Sequence, residues 1–488
     1  MKHLITITSF VLMTAFISDT IHSQQPYLPT WESLSNYRCP DWFRDAKFGI
    51  FIHWGVYAVP GFGSEWYPRW MYLDSTAWGL NYYQHHVKTY GTPDKFGYKD
   101  FIPMFKAEKF NAMEWAELFK KSGARYVVPV AEHHDGFAMY NTSLSRWSAF
   151  NMGPKRDIIR ELADAVRKQG MVFGLSSHRI EHWWFMNNGK KIDSDVNDPA
   201  YADFYGPARS ENEQPAIEYM NDWLLRNCEL VDKYQPQLFW FDWWIEQPAM
   251  EPYRKTFAAF YYNRGLMWNK GVVINYKNNA YPDNVAVYDI ERGSSRATRK
   301  FPWQTDTSIG KKSWGWICDE ENKTPNEIID ALIDIVSKNG NLLLNIGPKS
   351  DGTIPEEQVN VLLVIGEWLK VNGEGIYGSR PWDVAEEGPT VTAEGSFGDQ
   401  KKVEYMAGDI RFTTRDGIVY AFLLDVPATK KITIKSLSLK PDNSNKISSI
   451  ELLGSAEKIK WIQKAGGLVI DTPKSIPCRE AVGFKLIF

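Results

Sequence analysis

Between Lys47 and about Trp382, short apolar runs alternate with amphipathic stretches, and this alternation restricts the chain to few architectures. Runs of a few apolar residues, separated by segments long enough for a helix, are the pattern of strands buried on both faces of a parallel sheet. Candidate strands are Phe48–His53, Tyr126–Ala131, Val172–Ser176, Leu238–Asp242, Val272–Tyr276, Ala286–Ile290 and Leu342–Ile346, with a weaker eighth near Trp314–Ile317. The segments Asn111–Lys121, Asp157–Gln169, Ile217–Tyr234, Asn326–Ser337 and Glu356–Val371 carry helical periodicity, two of them stopped by Asn339-Gly340 and Asn372-Gly373. Seven or eight strand–helix repeats predict an α/β fold, a TIM-like (β/α) barrel, over residues 24–382. After Trp382 the texture changes to alternating β-branched segments with Asp416-Gly417 as a hairpin turn, which predicts a smaller β-sandwich domain over 383–488.

The 56 basic and 59 acidic residues leave a net charge of −3, so neither a nucleic-acid partner nor a polybasic membrane patch is indicated. Residues 1–23 read as a secretory signal peptide: Lys2 and His3 precede a mostly apolar stretch from Leu4 to Ile17, with a cleavage point near Ser23-Gln24. That run is short and interrupted by Thr and Ser, and no other stretch is long and apolar enough to span a membrane. The expected mature chain is therefore exported, periplasmic or secreted; self-association stays open. Cys39, Cys228, Cys318 and Cys478 are scattered with no CxxC pair, which excludes a zinc ribbon or thioredoxin-type motif and favours free thiols.

The strand ends carry chemistry. Gln237–Trp244 reads QLFWFDWW, one carboxylate after an aromatic run. An ionised Asp242 there needs hydrogen bonds, an ionic partner or a pocket; capping the next helix is the plain alternative. The other ends are His53-Trp54-Gly55, Glu132-His133-His134-Asp135-Gly136, Ser177-His178-Arg179, Tyr276-Lys277 and Glu291-Arg292. In a barrel these converge on one rim. Two chemistries use such a rim. Metal hydrolysis would draw ligands from His53, His133, His134 or His178, but no HxH or HExxH is present and adjacent strand residues point to opposite sides, so no metal is expected. A carboxylate pair, Asp242 and Glu291, with neutral imidazoles and aromatics to bind a polyol, suits glycosidic cleavage.

Three longer motifs are specific. Residues 42–55 (WFRDAKFGIFIHWG) with Gly63-Ser64-Glu65-Trp66-Tyr67, residues 126–137 ending in EHHDGF, and residues 339–348 (NGNLLLNIGP) with Asp351-Gly352 resemble, in order, the signatures of the α-L-fucosidases of glycoside hydrolase family 29. The resemblance implies an exo-acting retaining α-L-fucosidase with Asp242 as nucleophile, a fucosylated glycan as substrate and no cofactor. It further implies that His53, Glu65, Trp66, His133 and His134 bind the sugar, imidazoles and carboxylate taking the hydroxyls and Trp66 the C6 methyl. Glu291 lies where the family usually keeps its acid/base, upstream of Lys312–Trp316; Glu246 and Glu181 are its competitors. Trp314 or Trp316 is expected to line the pocket, and Asp135 to orient loop amides before Gly136. Two departures from the family pattern, Ser177-His178 in place of a Tyr-Tyr-Ser-type end and Lys277 in place of an Arg, make Ser177, His178 and Lys277 candidate substitutes for sugar contacts. They keep open a related substrate such as an α-L-galactoside, or a non-catalytic fucose-binding protein. His178, Glu181, His182, Trp183 and Trp184 form a candidate aglycone subsite.

Overall fold

The computed structural model describes residues 25–400, 403–425 and 429–488, so the expected signal peptide lies outside the described residues. Eight parallel strands close into a barrel in sequence order: β1 (Phe48–Ile52), β2 (Tyr126–Glu132), β3 (Val172–Ser177), β4 (Leu238–Phe241), β5 (Val273–Tyr276), β6 (Val287–Asp289), β7 (Trp303–Ser308) and β8 (Gly340–Ile346). Helices α1 (Ala112–Lys121), α2 (Ile158–Lys168), α3 (Ile217–Tyr234), α4 (Glu251–Met267), α5 (Pro325–Ser337) and α6 (Glu356–Asn372) belong to this region, whereas β5, β6 and β7 are joined by loops. Asn111 caps α1 and Asp157 caps α2 by accepting backbone amides of the first turn, and Thr324 with Glu327 makes a capping box at α5.

The expected eighth strand at Trp314–Ile317 is not a strand; that stretch is a loop, and the strand is β7. Its sequence, WQTDTS, has no apolar signature because its inward side chains enter a polar network inside the barrel. Tyr126 Oη donates to Gln304 Oε1 at 2.8 Å, Gln304 Nε2 donates to Asp289 Oδ2 at 2.5 Å, and Asn345 Nδ2 donates to Ser308 Oγ at 2.9 Å. Hydrogen bonding replaces apolar burial here.

Period-two alternation sorts the aromatic strand. Leu238 and Trp240 join the interior cluster with Phe51, Val128 and Leu343, while Phe239 and Phe241 pack outward against Trp223 and Phe257 on α3 and α4. The same parity carries Gly49 and Phe51 to His53, Ser176 to His178, Trp240 to Asp242, Asn275 to Lys277, and Asp289 to Glu291.

The C-terminal part is a sandwich of a five-stranded antiparallel sheet, β13-β16-β11-β10-β9, and a three-stranded one, β12-β15-β14. The strands are β9 (Arg380–Glu387), β10 (Ile410–Arg415), β11 (Ile418–Leu423), β12 (Lys431–Ile434), β13 (Ser449–Leu452), β14 (Trp461–Lys464), β15 (Gly467–Asp471) and β16 (Val482–Ile487). Both sheets contribute to one apolar core, Phe412 and Phe484 from the first and Ile434 and Leu468 from the second. Its first strand begins at Arg380, inside the stretch assigned to the barrel. Asp416 and Gly417, both at positive φ, make the β10–β11 turn. The seam with the barrel is ionic and aromatic: buried Arg411 reaches Asp334 of α5 at 2.5 Å, Asp334 also holds Lys338, and Trp368 of α6 donates to the Ala481 carbonyl.

Candidate active site

Two connected cavities open at the carboxyl ends of the strands. The inner one, about 60 Å³, is lined by His53, Glu65, Trp66, His133, His134, His178, Trp240, Asp242, Trp243, Lys277, Glu291, Asp306 and Trp314. It opens into a chamber of about 1040 Å³ that shares Glu65, Trp66, Trp243, Lys277, Glu291 and Trp314. Ten of the twelve sequence-predicted site residues line the inner cavity. Ser177 and Trp316 do not line either cavity. Ser177 is out of phase with His178 by one strand residue and faces away from the interior, buried between Glu132 and Phe241 in the sheet register. Trp316 lies in the loop after β7, against Gly61 and Lys349.

Asp242 is the hub. Its Oδ2 is 2.7 Å from His178 Nδ1 and 3.6 Å from His134 Nε2; its Oδ1 accepts from Lys277 Nζ at 2.9 Å and from the Trp243 amide at 2.8 Å. Burial alone would raise its pKa, but the Lys277 ammonium and His178 hold it well below the usual carboxylate range. Burial pushes His178 down to about 4 against the opposing pull of Asp242, so the imidazole is neutral at neutral pH. Nδ1–H then donates to Asp242, and the Ser176 hydroxyl, 3.2 Å from Nε2, donates to the other nitrogen.

Lys277 bridges the two candidate catalytic carboxylates. Its ammonium lies 2.9 Å from Asp242 Oδ1 and 2.7 Å from Glu291 Oε2, so these two oxygens stand no farther apart than the bonds laid end to end, 5.6 Å. Burial opposes its charge, yet Asp242 and Glu291 keep Lys277 well above its ordinary pKa. The ammonium also lies over the Trp240 ring, 4.7 Å from its centroid.

The remaining polar groups are oriented from outside the cavity. Asn345 Oδ1 accepts from the His53 amide and lies 2.8 Å from His53 Nδ1, while its Nδ2 donates to Ser308 and to the Trp314 carbonyl. His53 therefore carries its proton on Nδ1 and offers Nε2 as an acceptor. Glu65 Oε2 accepts from Ser313 Oγ and the Trp314 amide, both at 2.9 Å. Burial keeps His53 and His133 well below, and His134 below, the ordinary imidazole value. Asp135 accepts from the Phe137 amide and the Tyr98 hydroxyl.

His133 and His134 both enter the cavity, against the expectation that neighbours point apart. They follow β2 in a turn, after a register shift between Val130 and Glu132 that sends Glu132 outward to Arg179 and Arg226. One nitrogen from each of His53, His133 and His178 lies within 4.8 Å of the others, and His134, His178 and Asp242 form a similar group. These are the residues able to ligate a metal, a grouping that the spacing argument missed.

Of the competitors to Glu291, Glu181 is fully buried behind His134, 3.5 Å from its Nδ1, and burial raises its pKa well above the carboxylate range. Glu246 is bonded to Asn278 and lines neither cavity. His182, Trp183 and Trp184 are buried too, so the expected aglycone cluster supports the rim from beneath. Asp306 was not foreseen because it lies on the unrecognised β7. It lines the inner cavity, and both its carboxyl oxygens are buried without a partner; burial and Asp289 raise its pKa well above normal.

All four cysteines are free, Cys318 exposed and the others half-buried. Among the described residues no helix is long and apolar enough to cross a membrane.

Comparison with known proteins agrees with this architecture. The alpha-L-fucosidase family profile matches residues 14–374, and the alpha-L-fucosidase C-terminal domain profile matches 403–487. The tissue alpha-L-fucosidase of Rattus norvegicus is 34% identical over 469 residues, 92% of this chain and 89% of its own length. The tissue alpha-L-fucosidase of Homo sapiens is 31% identical, with 98% and 96% covered. The crystal structure of Thermotoga maritima alpha-fucosidase in complex with fucose superimposes with a TM-score of 0.74 at 29% identity, covering 94% of this chain and all of that one. With an eight-stranded parallel barrel, a C-terminal β-domain and family matches across both, the chain belongs to the alpha-L-fucosidases of glycoside hydrolase family 29 and is a glycoside hydrolase.

Proposed function

We propose that this protein is an exported, exo-acting, retaining α-L-fucosidase that releases terminal α-L-fucose from glycans by double displacement. The observation that carries the reading is the Lys277 bridge, which limits the facing oxygens of Asp242 and Glu291 to 5.6 Å. Retaining glycosidases keep their carboxyl groups about 5–5.5 Å apart, and inverting ones about 6.5–9.5 Å to admit a water. The inner cavity is small, about 60 Å³, and lies at the strand ends with Trp240 in its lining, which supports action on a chain terminus.

In the first step Glu291 donates a proton to the glycosidic oxygen as it departs, and Asp242 attacks the anomeric carbon to form a β-fucosyl ester. Glu291, now a carboxylate, takes a proton from water, which attacks the same carbon, releases α-L-fucose and frees Asp242. Ionisation of Asp242, enforced by Lys277 and His178, keeps the nucleophile competent down to acidic pH. His53, His133, His134 and Glu65 bind ring hydroxyls, with neutral imidazoles accepting or donating according to tautomer, and the faces of Trp66 and Trp314 take the C6 methyl and C–H edges. His178, expected as a sugar contact, is engaged on both ring nitrogens by Ser176 and Asp242 and serves to orient the nucleophile.

Asp242→Ala should abolish turnover of an aryl α-L-fucoside while added azide restores activity as β-fucosyl azide. A fully active Asp242→Ala protein would remove the assignment. Parallel assays on aryl α-L-fucoside and α-L-galactoside test the sugar, and the anomer first released, followed by NMR, tests retention.

A further inference from the structure

The chamber outside the inner cavity is built in part by the β-domain. Between β9 and β10 the chain returns to the barrel, and residues 395–399 run alongside 291–294. The Phe397 amide donates to the Glu291 carbonyl at 2.8 Å and the Asp399 amide to the Arg292 carbonyl at 3.0 Å; Gly395 and Ser294 exchange both backbone hydrogen bonds, at 3.0 and 3.3 Å. Gly293 permits this approach, since a Cβ there would come within 2.0 Å of the Gly395 carbonyl oxygen. Asp399 is anchored further by Lys323 at 2.6 Å and by Thr307 at 2.5 Å.

This strap sets Phe397 on the chamber wall beside Glu291, with 51% of its surface exposed. A second exposed aromatic, Trp78 at 60%, stands on the same chamber in the turn closed by Ala77 and Leu80. Its ring lies 5.5 Å from Trp66, so one aromatic wall continues from the inner cavity to the mouth. Both residues have positive φ, 61° for Phe397 and 50° for Trp78. Bulky side chains are uncommon in that region. Two exposed aromatics thus face one chamber, Trp78 packed at the end of the Trp66–Trp70 wall and Phe397 hydrogen-bonded to the backbone of the acid/base.

We propose that Phe397 and Trp78 form a leaving-group subsite that binds an uncharged pyranosyl residue through its apolar C–H face. The inference rests on the fucosidase reading. With fucose in the inner cavity, the glycosidic oxygen sits at Glu291 and the next sugar emerges into the chamber, where the two rings stand. The substrate class is therefore a fucosyl oligosaccharide recognised over at least two units, with the β-domain strap supplying part of the second.

The test compares kcat/KM on α-L-fucosyl fluoride, whose leaving group fills no subsite, with that on the fucosyl oligosaccharide turned over fastest in a panel of α1,2, α1,3, α1,4 and α1,6 linkages. In Phe397→Ala and in Trp78→Ala the oligosaccharide-to-fluoride ratio is expected to fall by about 3- to 10-fold, the range for loss of an aromatic contact. Titration of the defucosylated oligosaccharide into the same proteins reads the contacts without turnover, and its binding is expected to weaken by a similar factor. Unchanged ratios and unchanged titrations in both variants would overturn the subsite. Acceptor binding that depends on Phe397, in a protein that turns over no fucoside, would sink the fucosidase reading and leave the subsite standing.

Discussion

Removing the Lys277 ammonium is the sharpest probe of the site. In Lys277→Met a chain of similar length fills the space and the positive charge between Asp242 and Glu291 disappears. At the observed 2.9 Å, two unit charges in an effective dielectric of about 20 interact by about 6 kcal/mol. Water entering beside the methionine and tightening of the His178 contact oppose the change, leaving a net loss of about 3 kcal/mol, or about two pKa units for Asp242. The direction follows from the native state: Asp242 is held well below the usual range chiefly against burial, by Lys277 before His178, so losing Lys277 returns it upward. The nucleophile then protonates at a higher pH than in the wild type. In kcat/KM against pH on an aryl α-L-fucoside, the limb set by Asp242 should move up by about two pH units, and Lys277→Arg should restore it. A drop in rate at all pH values would show only a lost sugar contact, so the shape of the profile decides. If the acid limb of the Lys277→Met profile, followed to the lowest pH at which the protein stays folded, coincides with that of the wild type, Lys277 does not hold the nucleophile ionised and the electrostatic reasoning is wrong.

Glu291→Gln should lower kcat/KM on a fucosyl oligosaccharide by about 10²–10⁴-fold and act less on α-L-fucosyl fluoride, whose departure needs no proton; equal losses on both would argue against an acid. Gly49→Ala should destabilise the fold by about 1–3 kcal/mol in urea unfolding, because the new Cβ would come within 2.4 Å of the buried Tyr126 ring, whose hydroxyl is tied to Gln304. Asp330, on α5, is pushed up to about 8 chiefly by burial, so the folded state holds its proton where the unfolded chain, ionising near 4, has released it. The wild type therefore loses stability as pH rises from about 4 to about 8. Asp330→Asn should be more stable by on the order of 2 kcal/mol at pH 7, with the difference in melting temperature vanishing near pH 4.

Seven of the eight strands were legible because each carries a short apolar run, even where an inward position such as Ser176, Asn275, Asp289 or Asn345 is polar. β7 was not, because its inward face is Gln304, Asp306 and Ser308: Gln304 and Ser308 are satisfied by partners on other strands that no local pattern reveals, and the Asp306 carboxyl faces the inner cavity. The aglycone expectation failed for a related reason: His182, Trp183 and Trp184 look like an open polar-aromatic surface only until α3 and the rim loops cover them. Strand parity, once the true ends are known, separates His178 from Ser177, and a turn rather than a strand admits His133 and His134 together. Phe397 lies more than a hundred residues after Glu291 in another domain, so only the fold brings them together.

The strap between β9 and β10 gives the two proposed catalytic carboxylates unequal foundations. Both carboxylates follow strands of the closed barrel, but the backbone of Glu291 is also clamped by a segment whose ends belong to the sandwich. Local opening of the sandwich edge would release the acid while the nucleophile and the sugar pocket stay intact. Heat or truncation would then yield a folded barrel that still holds fucose but no longer protonates its leaving group, so loss of activity would precede loss of structure. For anyone wishing to shorten this chain, the β-domain belongs with the proposed acid/base that its strap holds.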